Sequence, residues 1–252
     1  MRILICNDDG TGAPGLELMA TAARSLCSDI WVVAPACKWT AASHQISFDR
    51  VLTLTRAGER NYACSGAPAD CVVAAMTLLF ADGGRPDLVL AGVNDKINVA
   101  EDIAYSGTMA IAREATFWGV PAIGVSRDLA AATGTRDADA AAIGRVLRLL
   151  WEQRAGWAAA GHWLSLNLPS VLPAALQQAE VGHDKIGGAC EVVARSAEQI
   201  SYKLVRGRPR TSTPGDERSI VAAGRIALVR QRWHADTPLA VATVGGWNAG
   251  LA

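Results

Sequence analysis

As far as residue 168, short apolar runs alternate with amphipathic stretches. Residues 2–6, Arg-Ile-Leu-Ile-Cys, are almost wholly apolar and are bounded by polar and turn chemistry, the pattern of a strand covered on both faces of a parallel sheet. Pro14 suits a first helical position, and Leu16, Met19, Ala23 and Leu26 follow at helical spacing, which predicts a helix over 15–27. Strands are expected at 30–34, 51–55, 61–64 and 87–91, with a helix over 69–81 whose first turn carries Asp70. A helix over 109–118, a strand at 121–126, a helix over 137–153 and a strand at 162–168 continue the series. Strand, helix, strand, helix with short connections is a doubly wound, mostly parallel sheet of the α/β class.

Beyond Pro173 the texture changes. Charged, alternating segments at 195–206 and 218–230 flank a middle rich in Gly, Pro, Arg and Thr, and read as a long hairpin arm. Such an arm suits subunit contact and an ordinary surface hairpin about equally. The expected organisation is one domain over 1–252, with a core at 1–170 and an arm at 171–252.

The chemistry collects where the strands end. The first strand stops at two adjacent carboxylates, Asp8 and Asp9, on the sheet edge where α/β folds bind ligands. Two neighbouring aspartates repel unless a cation or a proton neutralises them, which points to a hard divalent metal. Gly10, Gly12 and Gly15 imitate the dinucleotide fingerprint, yet the next strand runs out into Pro35 with no acid for a ribose. Asp8-Asp9-Gly10-Thr11 also imitates an aspartyl-phosphate motif, but the residue two before Asp9 is Asn7, an amide that cannot form a carboxyl phosphate. The polar stretch 35–48 is too long for a simple connector, and such loops are usually functional. It contributes Thr40, and the loop after the 87–91 strand contributes Asn94. Asp8, Asp9, a hydroxyl such as that of Thr40 and the Asn94 amide oxygen match what Mg²⁺ or Mn²⁺ requires.

Ser106, Gly107 and Thr108 stand at a helix start, where backbone donors, hydroxyls and the positive dipole end favour a phosphate. Asn98 and Lys96 add donors from the same loop. The plainer reading of Ser106 is a helix N-cap. No serine elbow or Cys/His dyad is visible, which leaves a metal-activated water as nucleophile and His44, in the polar loop, as a candidate general acid.

Composition narrows the partners. With 252 residues, half of them apolar, and a net charge of zero, the chain lacks the basic excess of a nucleic-acid binder. The first residues are too short an apolar run for a signal peptide or a membrane span, so a cytoplasmic protein without membrane association is expected. Six cysteines show no Cys-x-x-Cys pair, and most read as buried reduced thiols.

Several separated motifs, in order, resemble the SurE survival-protein family: Met1 to Leu4 with Asn7, Asp8, Asp9 and Gly10; Val33 to Pro35; Ser65, Gly66 and Pro68 with Asp70, Cys71 and Val72; Pro86 to Val89; Gly92 with Asn94, Asn98 and Asp102; and Tyr105 to Thr108. The match runs over 1–126, more weakly through Leu166 to Pro169 and Gly224 to Leu228. The resemblance implies a Rossmann-like fold and a 5'-nucleotidase, a phosphoric monoester hydrolase that removes phosphate from nucleoside 5'- and 3'-monophosphates. It implies one divalent ion on Asp8, Asp9, Thr40 and Asn94, phosphate contacts from Asn98, Ser106, Gly107 and Thr108, and a homodimer or homotetramer built by a C-terminal arm. Three departures stand out: Thr40-Ala41 replaces the usual Ser-Gly, and Lys96 and Ala100 replace glycines, where positive φ is costly. Lys96 leaves two alternatives open, a phosphatase of the same fold retuned to another phosphomonoester and a catalytically impaired nucleotide-binding paralogue.

Overall fold

A computed structural model describes residues 1–183, 190–204, 212–234 and 240–243. The first apolar run is β1 (Arg2–Cys6), and Pro14 opens α1 (Pro14–Ala23) at the position where its missing N–H costs nothing. There follow β2 (Asp29–Pro35), β3 (Leu54–Gly58), β4 (Asn61–Cys64), α2 (Pro68–Ala74) and β5 (Leu88–Asn94). The one-turn α3 (Asp102–Tyr105) leads into α4 (Gly107–Phe117), β6 (Ala122–Arg127), α5 (Arg136–Glu152), β7 (His162–Leu168) and β8 (Leu176–Gln178). The last elements are β9 (Glu191–Arg195), β10 (Ile200–Lys203), α6 (Glu217–Ala222) and β11 (Ile226–Arg232).

Nine strands share one sheet in the order β3-β4-β2-β1-β5-β6-β7-β11-β8. Strands β4, β2, β1, β5, β6 and β7 run parallel. The chain lays β2 and β4 to one side of β1 and β5, β6 and β7 to the other. The crevice at the carboxyl ends of β1 and β5 is therefore the switch point at which such sheets bind ligands.

Two-sided burial fixes the register of β1. Ile3 and Ile5 pack with Met19 of α1 and Leu147 of α5, while Leu4 and Cys6 pack with Val72 of α2 and Ile111 of α4. At roughly 1.5–3 kcal/mol for each large side chain, this burial decides where Asp8 and Asp9 emerge. Gly15 permits α1 to lie against β5, since a Cβ there would sit 1.9 Å from the Val93 carbonyl oxygen. That glycine serves helix–strand packing.

Three expected elements differ. The 51–55 strand is displaced to Leu54–Gly58, because a tight turn at Arg60 pairs Gly58 with Asn61 and Leu54 with Cys64. The helix over 69–81 is α-helical only to Ala74; it then widens into an i to i+5 turn, closed by Phe80 N–H on the Ala75 carbonyl (3.0 Å). Among the described residues, the expected pairing of 195–206 with 218–230 is not made. Instead Glu191–Arg195 and Ile200–Lys203 form a two-stranded hairpin. Its turn is closed locally by Ser196, whose hydroxyl accepts from the N–H groups of Glu198 and Gln199, and short-range closure costs the least chain entropy. The later segment becomes α6 and β11, and β11 joins the main sheet between β7 and β8, antiparallel to β7, with Ile226 and Ala227 buried. Residues 184–189, 205–211, 235–239 and 244–252 of the expected arm lie outside the described residues. No helix among the described residues is long and apolar enough to cross a membrane.

Candidate active site

The turn after β1 is pinned to the loop after β2. Asn7 donates its side-chain amide to the Gly10 carbonyl (2.9 Å) and holds the turn closed. Thr11 N–H donates to the Pro35 carbonyl (2.9 Å) and Trp39 N–H to the Asp8 carbonyl (2.7 Å). These bonds carry Lys38 and Thr40 to the aspartate pair.

Asp8 is buried, and Thr108 donates its hydroxyl to Asp8 Oδ1 at 2.6 Å. Burial pushes the Asp8 carboxyl up to about 6, and the neighbouring charge of Asp9 adds to the rise, against the hydrogen bond from Thr108. Asp9 is held on both oxygens. Lys38 Nζ lies 2.5 Å from Oδ1, and Asp95 N–H donates to Oδ2 at 3.2 Å. Lys38 also reaches Asp95 Oδ2 at 2.7 Å.

At the end of β5 the pairing with β6 slips between Gly92 and Asn94, and a bulge of this kind re-aims the side chain that follows it. Asn94 then donates its amide to the Lys96 carbonyl (2.7 Å), which assigns its NH₂ and leaves Oδ1 as the available acceptor. Asp8, Asp9, Thr40 and Asn94 all line one cavity of about 460 Å³. The donor set is oxygen only, with two carboxylates of which one is strained by burial, and this fits a hard divalent cation. Among the described residues no three His, Cys, Asp or Glu side chains gather into a metal cluster. The hydroxyl and the amide are needed to complete the set.

The residues expected at a phosphate divide into two groups. Ser106, Asn98 and Lys96 line the cavity. Ser106 is also the N-cap of α4, accepting from Met109 N–H at 3.1 Å, as the plainer reading of it expects. Asn98 engages its NH₂ with Ser126 Oγ (2.8 Å), and its backbone exchanges hydrogen bonds with the Asn167 side chain, which anchors the loop in the sheet. Lys96 pairs with Asp128 at 2.7 Å on the rim. Gly107 and Thr108 lie one layer beneath: the Thr108 hydroxyl is directed at Asp8, and a Cβ on Gly107 would stand 2.7 Å from Asp8 Cβ. Their place in the structure is to seat Asp8. His44 does not line the cavity. Its Nε2 meets Glu114 at 2.9 Å and its ring stacks on Phe117, which directs it onto α4 and away from the general-acid role considered for it.

Lys38, Asp95, Tyr105 and Arg218 line the cavity without having been picked out as site residues from the sequence. Arg218 arrives on α6, which docks by Glu217: its Oε2 accepts from Gly182 N–H (2.7 Å) and Ala100 N–H (3.4 Å).

The family model described as Survival protein SurE matches residues 3–188. The chain belongs to the SurE family. It is 36% identical over 238 residues to the 5'-nucleotidase SurE of Paramagnetospirillum magneticum, covering 90% of this chain and 88% of that one. It is 44% identical over 184 residues to the 5'-nucleotidase SurE of Cereibacter sphaeroides, covering 69% of each. Among solved structures, the SurE protein of Aquifex aeolicus matches with a TM-score of 0.74 and 22% identity over 100% of this chain and 99% of that one, a likeness of fold.

Two departures from the SurE glycine pattern keep the backbone that glycine would favour. Ala41 and Ala100 have φ of +55° and +52°. A left-handed alanine costs roughly 1–2 kcal/mol, offset in part by the extra freedom glycine has in the unfolded chain. Ala100→Gly is expected to stabilise the protein by about 0.5–1 kcal/mol and raise Tm by about 2 °C. Thermal unfolding monitored by circular dichroism checks this, and a lower Tm would show that the buried Ala100 methyl contributes more by packing than its backbone costs.

Proposed function

We propose that this chain is a phosphomonoesterase that removes phosphate from nucleoside 5'-monophosphates, and from 3'-monophosphates as a secondary class, using one Mg²⁺ or Mn²⁺ ion held by Asp8, Asp9, Thr40 and Asn94. The observation that carries the reading is the aspartate pair at the β1–β5 crevice, with Asp8 buried and Asp9 at the cavity surface, ringed by oxygen donors and facing the start of α4. Relatives named 5'-nucleotidase SurE at 36–48% identity supply the reaction and the substrate class.

When bound, a divalent ion supplies a more acidic water and neutralises charge developing on the phosphoryl group. The protein's own residues do the positioning. Thr108 and the close approach of Gly107 hold Asp8, and the Asp95 N–H holds Asp9. Ser106 accepts from Met109 through its oxygen, so its hydroxyl proton is available to donate to a phosphate oxygen, and the α4 dipole favours the same anion. Lys96 brings positive charge to the rim.

A panel of phosphomonoesters tests the substrate class. The highest kcat/KM is expected for a nucleoside 5'-monophosphate. Preference for a sugar phosphate would favour the reading in which Lys96 retunes the site, and binding without turnover would favour an impaired paralogue.

The β9–β10 hairpin is proposed as the subunit contact of a homodimer or homotetramer. Its strands are exposed throughout and carry Val192, Val193, Ile200 and Tyr202 to solvent. Val193→Asp is expected to shift the mass measured by light scattering toward the monomer, and an unchanged mass would move the contact elsewhere. All six cysteines are free, Cys37 and Cys190 among the exposed residues, which supports a reducing, cytoplasmic setting.

A further inference from the structure

Lys38 places an ammonium on a carboxylate that the metal would need. Its Nζ is 2.5 Å from Asp9 Oδ1 and 2.7 Å from Asp95 Oδ2, and Asp95 N–H closes the ring onto Asp9 Oδ2. The three groups join the exits of β1, β2 and β5. The Asp9 side chain is 8% exposed and that of Lys38 is 47% exposed. The charge therefore reaches a buried carboxylate from the solvent side on a flexible stem.

We propose that Lys38 is a built-in counter-ion of the aspartate pair: it competes with the divalent ion for Asp9, sets the metal affinity of the site, and is retained by Asp95 when the ion binds. The proposal rests on the metal reading of Asp8 and Asp9. A small divalent ion approaches a carboxylate oxygen to roughly 2.0–2.1 Å. An ammonium on that same oxygen would then be nearly in contact with it, with three positive charges in a partly buried site where screening is weak. Asp95 offers the displaced ammonium a second anchor already in reach. Lys96 supplies the contrast. It also borders the cavity and also forms an ion pair, but with Asp128 and not with the aspartate pair. Removing either lysine changes the net charge equally, and only Lys38 contends for a ligand oxygen.

The test is calorimetric titration of the metal-free protein with Mn²⁺, comparing wild type with Lys38→Met, Lys38→Arg and Lys96→Met. Lys38→Met is expected to bind Mn²⁺ on the order of tenfold more tightly. Lys38→Arg, which keeps the counter-ion, is expected to stay near wild type, and Lys96→Met within about threefold of it. Equal or weaker binding by Lys38→Met would overturn the proposal and leave the metal site standing. An equal gain in Lys96→Met would also overturn it, by tracing the effect to net charge. Absence of Mn²⁺ binding in wild type and in every variant would overturn the metal reading and the proposal together. The exposed stem of Lys38 makes misfolding of its variants unexpected; should Lys38→Met fail to fold, Lys38→Gln carries the same comparison.

Discussion

Asp9→Asn is expected to lower kcat/KM for a nucleoside 5'-monophosphate on the order of 10³-fold or more, the equivalent of the several kcal/mol a metal site contributes. The amide keeps the shape of the side chain and can still accept the Asp95 N–H through its oxygen. What it loses is the charge, and with it one of only two carboxylates among the four oxygen donors. Because Asp9 sits at the cavity surface and its Lys38 partner retains Asp95, thermal stability should change little. Steady-state kinetics together with a melting curve separate the two effects. Activity within a few fold of wild type would remove Asp9 from the site.

Gly107→Ala should also be costly, for a different reason. The added Cβ would stand 2.7 Å from Asp8 Cβ and 2.9 Å from both Asp8 Oδ2 and Pro68 Cγ, all closer than real side-chain contacts. Asp8 is clamped between this glycine and the Thr108 hydroxyl, so it cannot shift without leaving its place. Overpacking of this kind costs about 1–3 kcal/mol of stability, and displacing a catalytic group by roughly 1 Å costs on the order of 10²-fold in rate. The loss should appear in kcat/KM and in Mn²⁺ affinity together. Full activity in Gly107→Ala would mean that the place of Asp8 against α4 is immaterial to the chemistry.

The parts of this site that follow from local chain chemistry were legible in the sequence. An apolar run that stops at two aspartates specifies a buried strand and a charged strand end, and burial of Ile3, Leu4 and Ile5 on both faces leaves the pair one place to emerge. Asn94 and Ser106 were legible for the same reason, as polar residues closing a buried strand and opening a helix. The contacts that depend on approach through space were not. Thr108 in a first helical turn reads as a phosphate donor, and only the packing of α4 against the end of β1 turns its hydroxyl onto Asp8. Lys38 is one polar residue in a loop without periodicity, and nothing in its spacing ties it to Asp9. In the C-terminal part the alternating pattern announces a hairpin, which β9 and β10 form, but does not specify which segments build it. Residues 218–230 carry enough charge to suggest an arm, yet Ile226 and Ala227 are buried in the main sheet and Arg218 reaches the cavity.

In the proposed function the aspartate pair works with a divalent ion on a nucleoside monophosphate. Phosphate release from a nucleoside 5'-monophosphate, measured with Mn²⁺, with Mg²⁺ and with excess chelator, tests it most directly. Release is expected with at least one ion, with loss of release in chelator and recovery when the ion is restored. Equal release in chelator would contradict it.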